Sequence, residues 1–398
     1  MKRSVDRILT THVGSLTRPD DLMALYAANA PDDKLQPRLR AAVGDIVKQQ
    51  ADSDIDVVND GEYGKAMRSS MDFGAWWSYV YPRLQGFELR EEHAKQGRAA
   101  WTFGSKERKD FAEFYAAEAS AAASAARQSG SSSAQLYGLT CTGPVKYVGH
   151  AAIRRDIDNL VAAARTAKVE ETFMTAVSPA TLQILPNAFY KSAEEYTFAL
   201  ADAIHEEYKA IVDAGFILQI DDPALVDIYD WWYSANDDLA GYRKWAEFQV
   251  EALNHALKGI PEERVRFHVC WGSWHGPHSS DIPLKDVADL LTRVKAQAYS
   301  IEAGNVRHAH EWKVWRDVVK LPPEKLLIPG VVSHATNVLE HPELVSDRLV
   351  QYAQVVGREN VIAGTDCGLG GRIHPQLVWA KLRVLAEGAD LATKQLWP

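Results

Sequence analysis

The chain has 398 residues, a net charge of -9 and 46% hydrophobic residues. That length allows one large domain or two, with enough apolar content for a sizeable core. The acidic balance excludes a global basic footprint for nucleic acid, and no stretch is long and apolar enough to span a membrane. Three cysteines cannot all pair, and none sits in a disulfide-like framework. The charged stretch at residues 1–7 lacks the apolar core of a signal peptide. A reducing, cytoplasmic compartment is therefore expected, in which Cys270 and Cys367 serve better as ligands than as a bridge.

In chain order, residues 8–11 read as a strand that breaks at Gly14. Helices are predicted from Pro19, since Pro is tolerated in a first turn, and over 35–52. Residues 56–59 form the next strand, turning at Asp60-Gly61-Glu62. The aromatic segment with Trp76, Trp77, Tyr79 and Tyr81 reads as core. From Glu88 to Ala134 charged residues, an Ala-rich helix over 111–127 and the Ser-rich run 129–133 suggest an excursion with a flexible end. Residues 136–141 read as a strand outside the main sheet, paired as a hairpin with residues 101–103. Strand and helix units then alternate, with helices over 193–213, 239–257, 285–295, 342–356 and 375–392.

Setting the hairpin aside, eight strands remain, at Leu9, Val57, Phe173, Leu218, Phe267, Tyr299, Ile328 and Ile362. Most precede a helix. This is the pattern of a closed (β/α)8 barrel, an α/β fold, here with an extra hairpin and helical excursion near residues 85–140, and read as one domain over 1–398. A doubly wound open sheet is the rival, but no G-x-G-x-x-G follows a strand. In a barrel the C-terminal strand ends converge. Ser15, Glu62, Ser178, Asp221, His268, Cys270, Glu302, His334 and Cys367 all fall at such ends.

His268 and Cys270 are two apart on one strand, so they aim an imidazole and a thiol the same way. Alone, that pair reads better as a core strand with a satisfied His and a buried Cys, because free Cys is commonly just buried. Glu302 and Cys367, at two other strand ends, complete a set of one nitrogen, two sulfurs and one carboxylate that suits tetrahedral zinc. Closed structural zinc sites usually draw ligands as close pairs in loops, whereas these come from three strand ends. Two thiolates and a carboxylate more than neutralise Zn²⁺. Such an electron-rich metal activates water poorly but holds an incoming thiol as a nucleophilic thiolate.

A family resemblance rests on Thr11-His12-Val13-Gly14-Ser15, Asn59-Asp60-Gly61-Glu62, Gln219-Ile220-Asp221-Asp222-Pro223-Ala224-Leu225, His268-Val269-Cys270, Ile301-Glu302, Pro329-Gly330-Val331 leading to Ser333-His334, and Asp366-Cys367-Gly368-Leu369. Running from residue 10 to about 372, these resemble the catalytic half of cobalamin-independent methionine synthase. The resemblance implies a zinc site of His268, Cys270, Glu302 and Cys367 at the barrel mouth. It implies that Ser15, Glu62 and Asp221 hold an amino-acid thiol and that His334 protonates the departing group. For the two carboxylates the competing reading is a helix cap or structural salt bridge; for His334 it is a solvent-facing loop His.

The chain is too short for the second, N-terminal barrel of the full-length synthase, and Leu185 stands where the family's folate-stacking Trp is expected. The expected activity is zinc-dependent S-alkyl transfer from a small alkyl donor to a small thiol, homocysteine by resemblance, as in methyltransferases of methionine biosynthesis. Short relatives such as epoxyalkane:coenzyme M transferase supply an alternative, an epoxide-opening or C–S lyase enzyme acting on a sulfonated thiol, for which Lys65 and Arg18 are candidate partners. A non-catalytic, zinc-stabilised binding protein is the third reading. Neither a nucleic-acid nor a membrane partner is expected.

Overall fold

The computed structural model describes residues 1–67, 79–90, 105–118, 139–272 and 275–398. Among these, the strands are β1 (Leu9–Thr10), β2 (Val57–Val58), β3 (Leu84–Leu89), β4 (Leu139–Tyr147), β5 (Glu171–Val177), β6 (Ile217–Asp221), β7 (Val265–Val269), β8 (Ala298–Glu302), β9 (Leu326–Val332) and β10 (Ile362–Thr365). Eight of them form one sheet in the order β1-β10-β9-β8-β7-β6-β5-β2, and the pairings are parallel throughout. A parallel bridge between Thr11 and Val57 brings the two ends of the sheet together. The expected barrel is present, built from the eight strands read from the sequence.

Strands β3 and β4 form the extra antiparallel hairpin. The partner observed for β4 is therefore Leu84–Leu89; residues 101–103 lie outside the described residues, as do Trp76 and Trp77. The Ala-rich run is helical over 112–118 and otherwise also lies outside them.

Helices cover Ala193–Asp213, Leu239–Ala256, Pro342–Val356 and Pro375–Leu396, within a few residues of expectation. Residues 285–295 differ. They fold as a 3₁₀ turn, Leu284–Asp286, and a single helical turn, Ala288–Leu291. The physical reason is Asn254 on the neighbouring helix, which donates to Arg293 O at 2.9 Å and accepts from Lys295 N at 2.8 Å. Those are backbone groups a longer helix would have to pair internally. The helix His150–Ala164 was not read from the sequence, although its buried Ile153, Ile157 and Leu160 fall on one face.

Alternation along the strands divides the molecule into an inside and an outside. Outward residues of the strands join the large apolar cluster with the helices, as Phe267, Val269 and Ile301 do. Two small clusters stand apart from it: Leu9, Ala298, Leu326, Ile328 and Ile362, and Val57, Phe173 and Ile217. They are the apolar layer of the barrel interior. Above them the interior turns polar. Arg266 is 1% exposed and donates to Gln219 Oε1 at 2.6 Å, Thr11 Oγ1 at 2.9 Å and His12 O at 2.6 Å, with its guanidinium 3.5 Å from the centre of the Phe173 ring. This buried cation lies beneath the strand ends.

The hairpin is tied to the barrel by a buried ion network. Arg83, just before β3, donates to Asp156 at 2.6 Å and Glu207 at 3.1 Å, on two different helices, and all three side chains are under a tenth exposed. Breaking such a group leaves uncompensated buried charge. Arg83→Leu is predicted to lower the unfolding free energy by about 3–5 kcal/mol in a denaturant titration. A loss below about 1 kcal/mol, the range of exposed pairs, would show that the network does not anchor the hairpin.

Candidate functional site

Strand register sets the site. Asp221 pairs with His268, His268 with Ser300, and Glu302 with Gly330, so β6, β7, β8 and β9 end at one level. Cys270 follows β7 by one residue, on the same inner side as Arg266 and His268. Cys367 arrives from the loop after β10, which is pinned on three sides. Asp366 accepts from Ala303 N and Gly304 N, both at 2.8 Å. Thr365 Oγ1 donates to Cys367 O at 3.0 Å. Leu369 N and Gly370 N donate to Ser15 O at 3.0 and 2.9 Å. The loop comes so close to β9 that a Cβ on Gly330 would lie 2.4 Å from Asp366 Cα, which explains a glycine there.

The result is one buried cluster. Ligand atoms of His268, Cys270 and Cys367 all lie within 4.8 Å of one another, and the two sulfurs are 3.6 Å apart. The thiols titrate as a pair. Cys367 is held well below the usual thiol range by its hydrogen bond with Cys270, with help from Arg372, His268 and His334 and against burial. Cys270 is pushed up by the same bond and by burial. The His268 Nδ1 atom sits 3.2 Å from Ser300 Oγ, whereas its buried Nε2 has no hydrogen-bond partner among the described residues. An orphaned imidazole nitrogen beside two close sulfurs is a donor set that fits a thiophilic cation.

Glu302 lies outside this group of three. Its Oε1 accepts from Trp271 N at 3.0 Å and its Oε2 from Asn305 Nδ2 at 2.6 Å. Burial, then the charges of Asp366 and Cys367, push its carboxyl well above the ordinary value. The cluster thus crowds acids that cannot all ionise together, and a cation would let them do so.

The other expected residues sit around it. His334 is 1% exposed, so it is no solvent-facing loop residue, and neither ring nitrogen has a partner among the described residues. Burial lowers it to about 4, against the pull of Cys367, so the ring is neutral near pH 7. Ser15 contributes its carbonyl to the Cys367 loop. Burial lifts Asp221 to about 6, and Gln219 donates to it at 2.6 Å.

Glu62 has an unexpected neighbour. Lys65 Nζ donates to Glu62 Oε1 at 3.1 Å and to Thr175 Oγ1 at 2.5 Å, and it lies 4.4 Å from the centre of the Tyr79 ring. Burial would raise the Glu62 carboxyl, but Lys65, Thr175 and Arg18 together hold it below its ordinary value. Gly14, at φ 140°, makes room: a Cβ there would meet Thr175 Cγ2 at 2.8 Å and Glu62 Oε1 at 3.1 Å.

Sequence reading missed two further groups. His12, inside a quoted motif, accepts from Gly14 N at 3.1 Å and shares its other nitrogen with Gln50 at 2.7 Å, fixing the Val13-Gly14-Ser15 turn. His308 lies between Asp281 at 3.0 Å and Glu311 at 2.8 Å, and stacks 4.0 Å from Trp271. Burial opposes its charge, but the two carboxylates prevail and raise it to about 9. The His308-to-Glu311 spacing of i, i+3 was the one local signal; the rest is long-range.

The fold and site together are those of a parallel eight-stranded α/β barrel with a buried His, Cys, Cys group at its mouth that fits a metal ion. The chain matches the family described as "Cobalamin-independent synthase, Catalytic domain" over residues 102–390, and belongs to it. It is 23% identical to the 2-hydroxypropyl-CoM lyase of Xanthobacter autotrophicus, with 98% of this chain and 96% of that one covered. It is 24% identical to a methionine synthase of Saccharolobus solfataricus, over 77% of this chain and 82% of the relative. In fold it resembles a B12-independent methionine synthase from a Shewanella species, with a TM-score of 0.66 at 19% identity, covering 98% of this chain and 99% of the other. Among the described residues no helix is long and apolar enough to cross a membrane.

Protein purified without chelator is predicted to carry about one equivalent of metal per chain. Cys270→Ser and Cys367→Ser should each lose it in elemental analysis while retaining the far-UV spectrum of the barrel. Metal retained in both variants would place the ion elsewhere.

Proposed function

We propose that the protein is a zinc-dependent enzyme that makes or breaks a carbon–sulfur bond by activating a small thiol at His268, Cys270 and Cys367. The observation that carries this reading is the convergence of one orphaned imidazole nitrogen and two thiols within 4.8 Å at the mouth of the barrel. Zinc held by these donors would lower the pKa of an arriving thiol and keep its sulfur as a nucleophilic thiolate.

The remaining work falls to the chain's own residues. Ser300 orients the His268 ring, so that Nε2 faces the thiols. Trp271 N–H and Asn305 fix the Glu302 carboxylate, which would serve as a fourth ligand if zinc is bound and could yield that position to an arriving sulfur. His334 is the proton carrier. A buried neutral imidazole with no hydrogen-bond partner among the described residues can accept the proton released as the thiol ionises and return it to the atom that leaves the alkyl carbon. A positioned acid of this kind contributes roughly 10²–10⁴-fold. The excursion seats at the same end of the molecule: Glu107 N donates to Asp230 at 3.2 Å, and Ser279 Oγ to Glu107 at 3.3 Å.

For the identity of the thiol, the methionine synthases among the relatives point to homocysteine, with Glu62 and Asp221 receiving its ammonium. A second reading is favoured by Lys65. The Glu62 charge is already taken by a buried lysine, so an arriving ammonium would have to displace an ammonium. A thiol with an acidic tail instead finds a cation anchored between Glu62 and Thr175. The 2-hydroxypropyl-CoM lyase, which spans nearly the whole chain, agrees with that alternative. The sulfonated thiol is accordingly the preferred substrate class here, with an epoxide or its ring-opened product as the carbon partner.

Calorimetry on zinc-loaded protein should show 2-mercaptoethanesulfonate binding roughly ten-fold or more tighter than homocysteine. Lys65→Met should reverse that order, because it removes the cation and leaves the Glu62 carboxylate without a buried partner. Tighter homocysteine binding in the parent protein, unaltered in order by Lys65→Met, would restore the methionine synthase reading.

A further inference from the structure

His334 presents a problem of placement. A buried side chain with no hydrogen bond of its own among the described residues takes its position from its backbone and from packing alone. Strand β9 ends at Val332, so that backbone already belongs to the following loop. Its two neighbours are fixed. Ser333 N donates to Glu340 Oε1 at 2.9 Å, and Ala335 N donates to Ser333 Oγ at 3.1 Å. Glu340 is in turn held by Lys381, on the helix Pro375–Leu396. The Lys381 ammonium donates to Glu340 Oε1 at 3.0 Å, to Glu340 Oε2 at 2.8 Å and to Val338 O at 2.8 Å. The Lys381 side chain is 0% exposed and that of Glu340 7%.

A fully buried lysine is a costly way to gain stability, since desolvation offsets most of the attraction. Nor is it needed to dock the helix. The helix Pro375–Leu396 already packs so tightly on Pro342–Val356 that a Cβ on Gly388 would lie 2.3 Å from Val345 Cγ1. What the ion pair adds is a fixed path for residues 333–340, with all three ammonium donors spent on that loop. We propose that the Lys381–Glu340 pair is a positioning device for His334, setting where the imidazole meets the departing atom. The inference rests on the proton-carrying role given to His334 above. It adds two residues, remote from the thiols, on which that role depends.

The test compares two alkyl donors on zinc-loaded protein with the tighter-binding thiol. In epoxypropane the departing oxygen needs a proton; in methyl iodide the departing iodide does not. Lys381→Met is expected to slow the epoxide reaction roughly ten-fold or more and to leave the iodide reaction within about two-fold, reproducing the pattern of His334→Ala. Metal content and thiol affinity should be unchanged. The double variant Lys381→Met, Glu340→Gln removes both charges while keeping an oxygen for Ser333 N–H, and should recover part of the epoxide rate. Equal losses with both donors, or loss of thiol binding, would overturn the proposal in favour of a general structural role. Hydrogen exchange at the Ser333 and Ala335 amides gives a second readout that needs no turnover. Faster exchange at these positions in Lys381→Met supports the device, and unchanged protection overturns it. If His334→Ala itself reacts like the parent protein with both donors, the role of His334 in the reaction fails, and the exchange data still decide whether the ion pair positions it.

Discussion

Two sulfurs 3.6 Å apart, both buried, are the constraint around which this molecule is arranged. Left alone they cannot both ionise, and the pair settles with one thiol pushed down and the other pushed up. A cation between them removes the conflict and makes both available as thiolates. The fold spends much of its detail on holding them there. Cys270 is placed by the period of β7. Cys367 is placed by Asp366 on β8's outgoing loop, by Thr365 and by the Ser15 carbonyl. Each of these constraints comes from a different part of the chain, so the cluster exists only when the barrel is closed.

The barrel interior carries this arrangement upward from an apolar base. Phe173, Ile217 and their neighbours fill the bottom, and Arg266 spans the middle on hydrogen bonds to Thr11 and His12, just after β1, and to Gln219 on β6. Burial brings Arg266 down to about 9, but it stays cationic near pH 7, and Asp221 lies within its field. The carboxylates at the mouth are consequently unequal. Glu62 is ionised against Lys65, Asp221 is lifted to about 6 by burial, and burial with the charges of Asp366 and Cys367 pushes Glu302 well above its ordinary value. Environments that drive like groups apart are how one cavity keeps a charge in one place and a proton in another.

Much of this was legible in the sequence, for local reasons. Strand ends could be found because an apolar run terminates in a polar residue or glycine, as at His268-Val269-Cys270 and Gly364-Thr365-Asp366. The long helices were legible from their periodicity. What escaped is what depends on distant chain. The partner of β4 is a segment about fifty residues earlier, and nothing in residues 139–147 names it. The segment 285–295 has helical composition but gives its backbone groups to Asn254. Glu62 was read as a partner for a substrate ammonium, with a salt bridge as the competing reading, and its pairing with Lys65 was not legible because that side chain, three residues on, can point anywhere until Thr175 on β5 receives it. Lys381 carries no local signal in the sequence, and its burial follows only from the packing of the last two helices around the loop after β9.

The central claim is that a substrate thiol joins the His268, Cys270 and Cys367 cluster through its sulfur. X-ray absorption at the zinc edge tests it directly, on metal-loaded protein with and without saturating 2-mercaptoethanesulfonate. The account predicts two sulfur neighbours without the thiol and three with it, together with the loss of one oxygen neighbour. An unchanged shell, with the thiol shown to be bound by calorimetry, would contradict it and make the cluster a structural site.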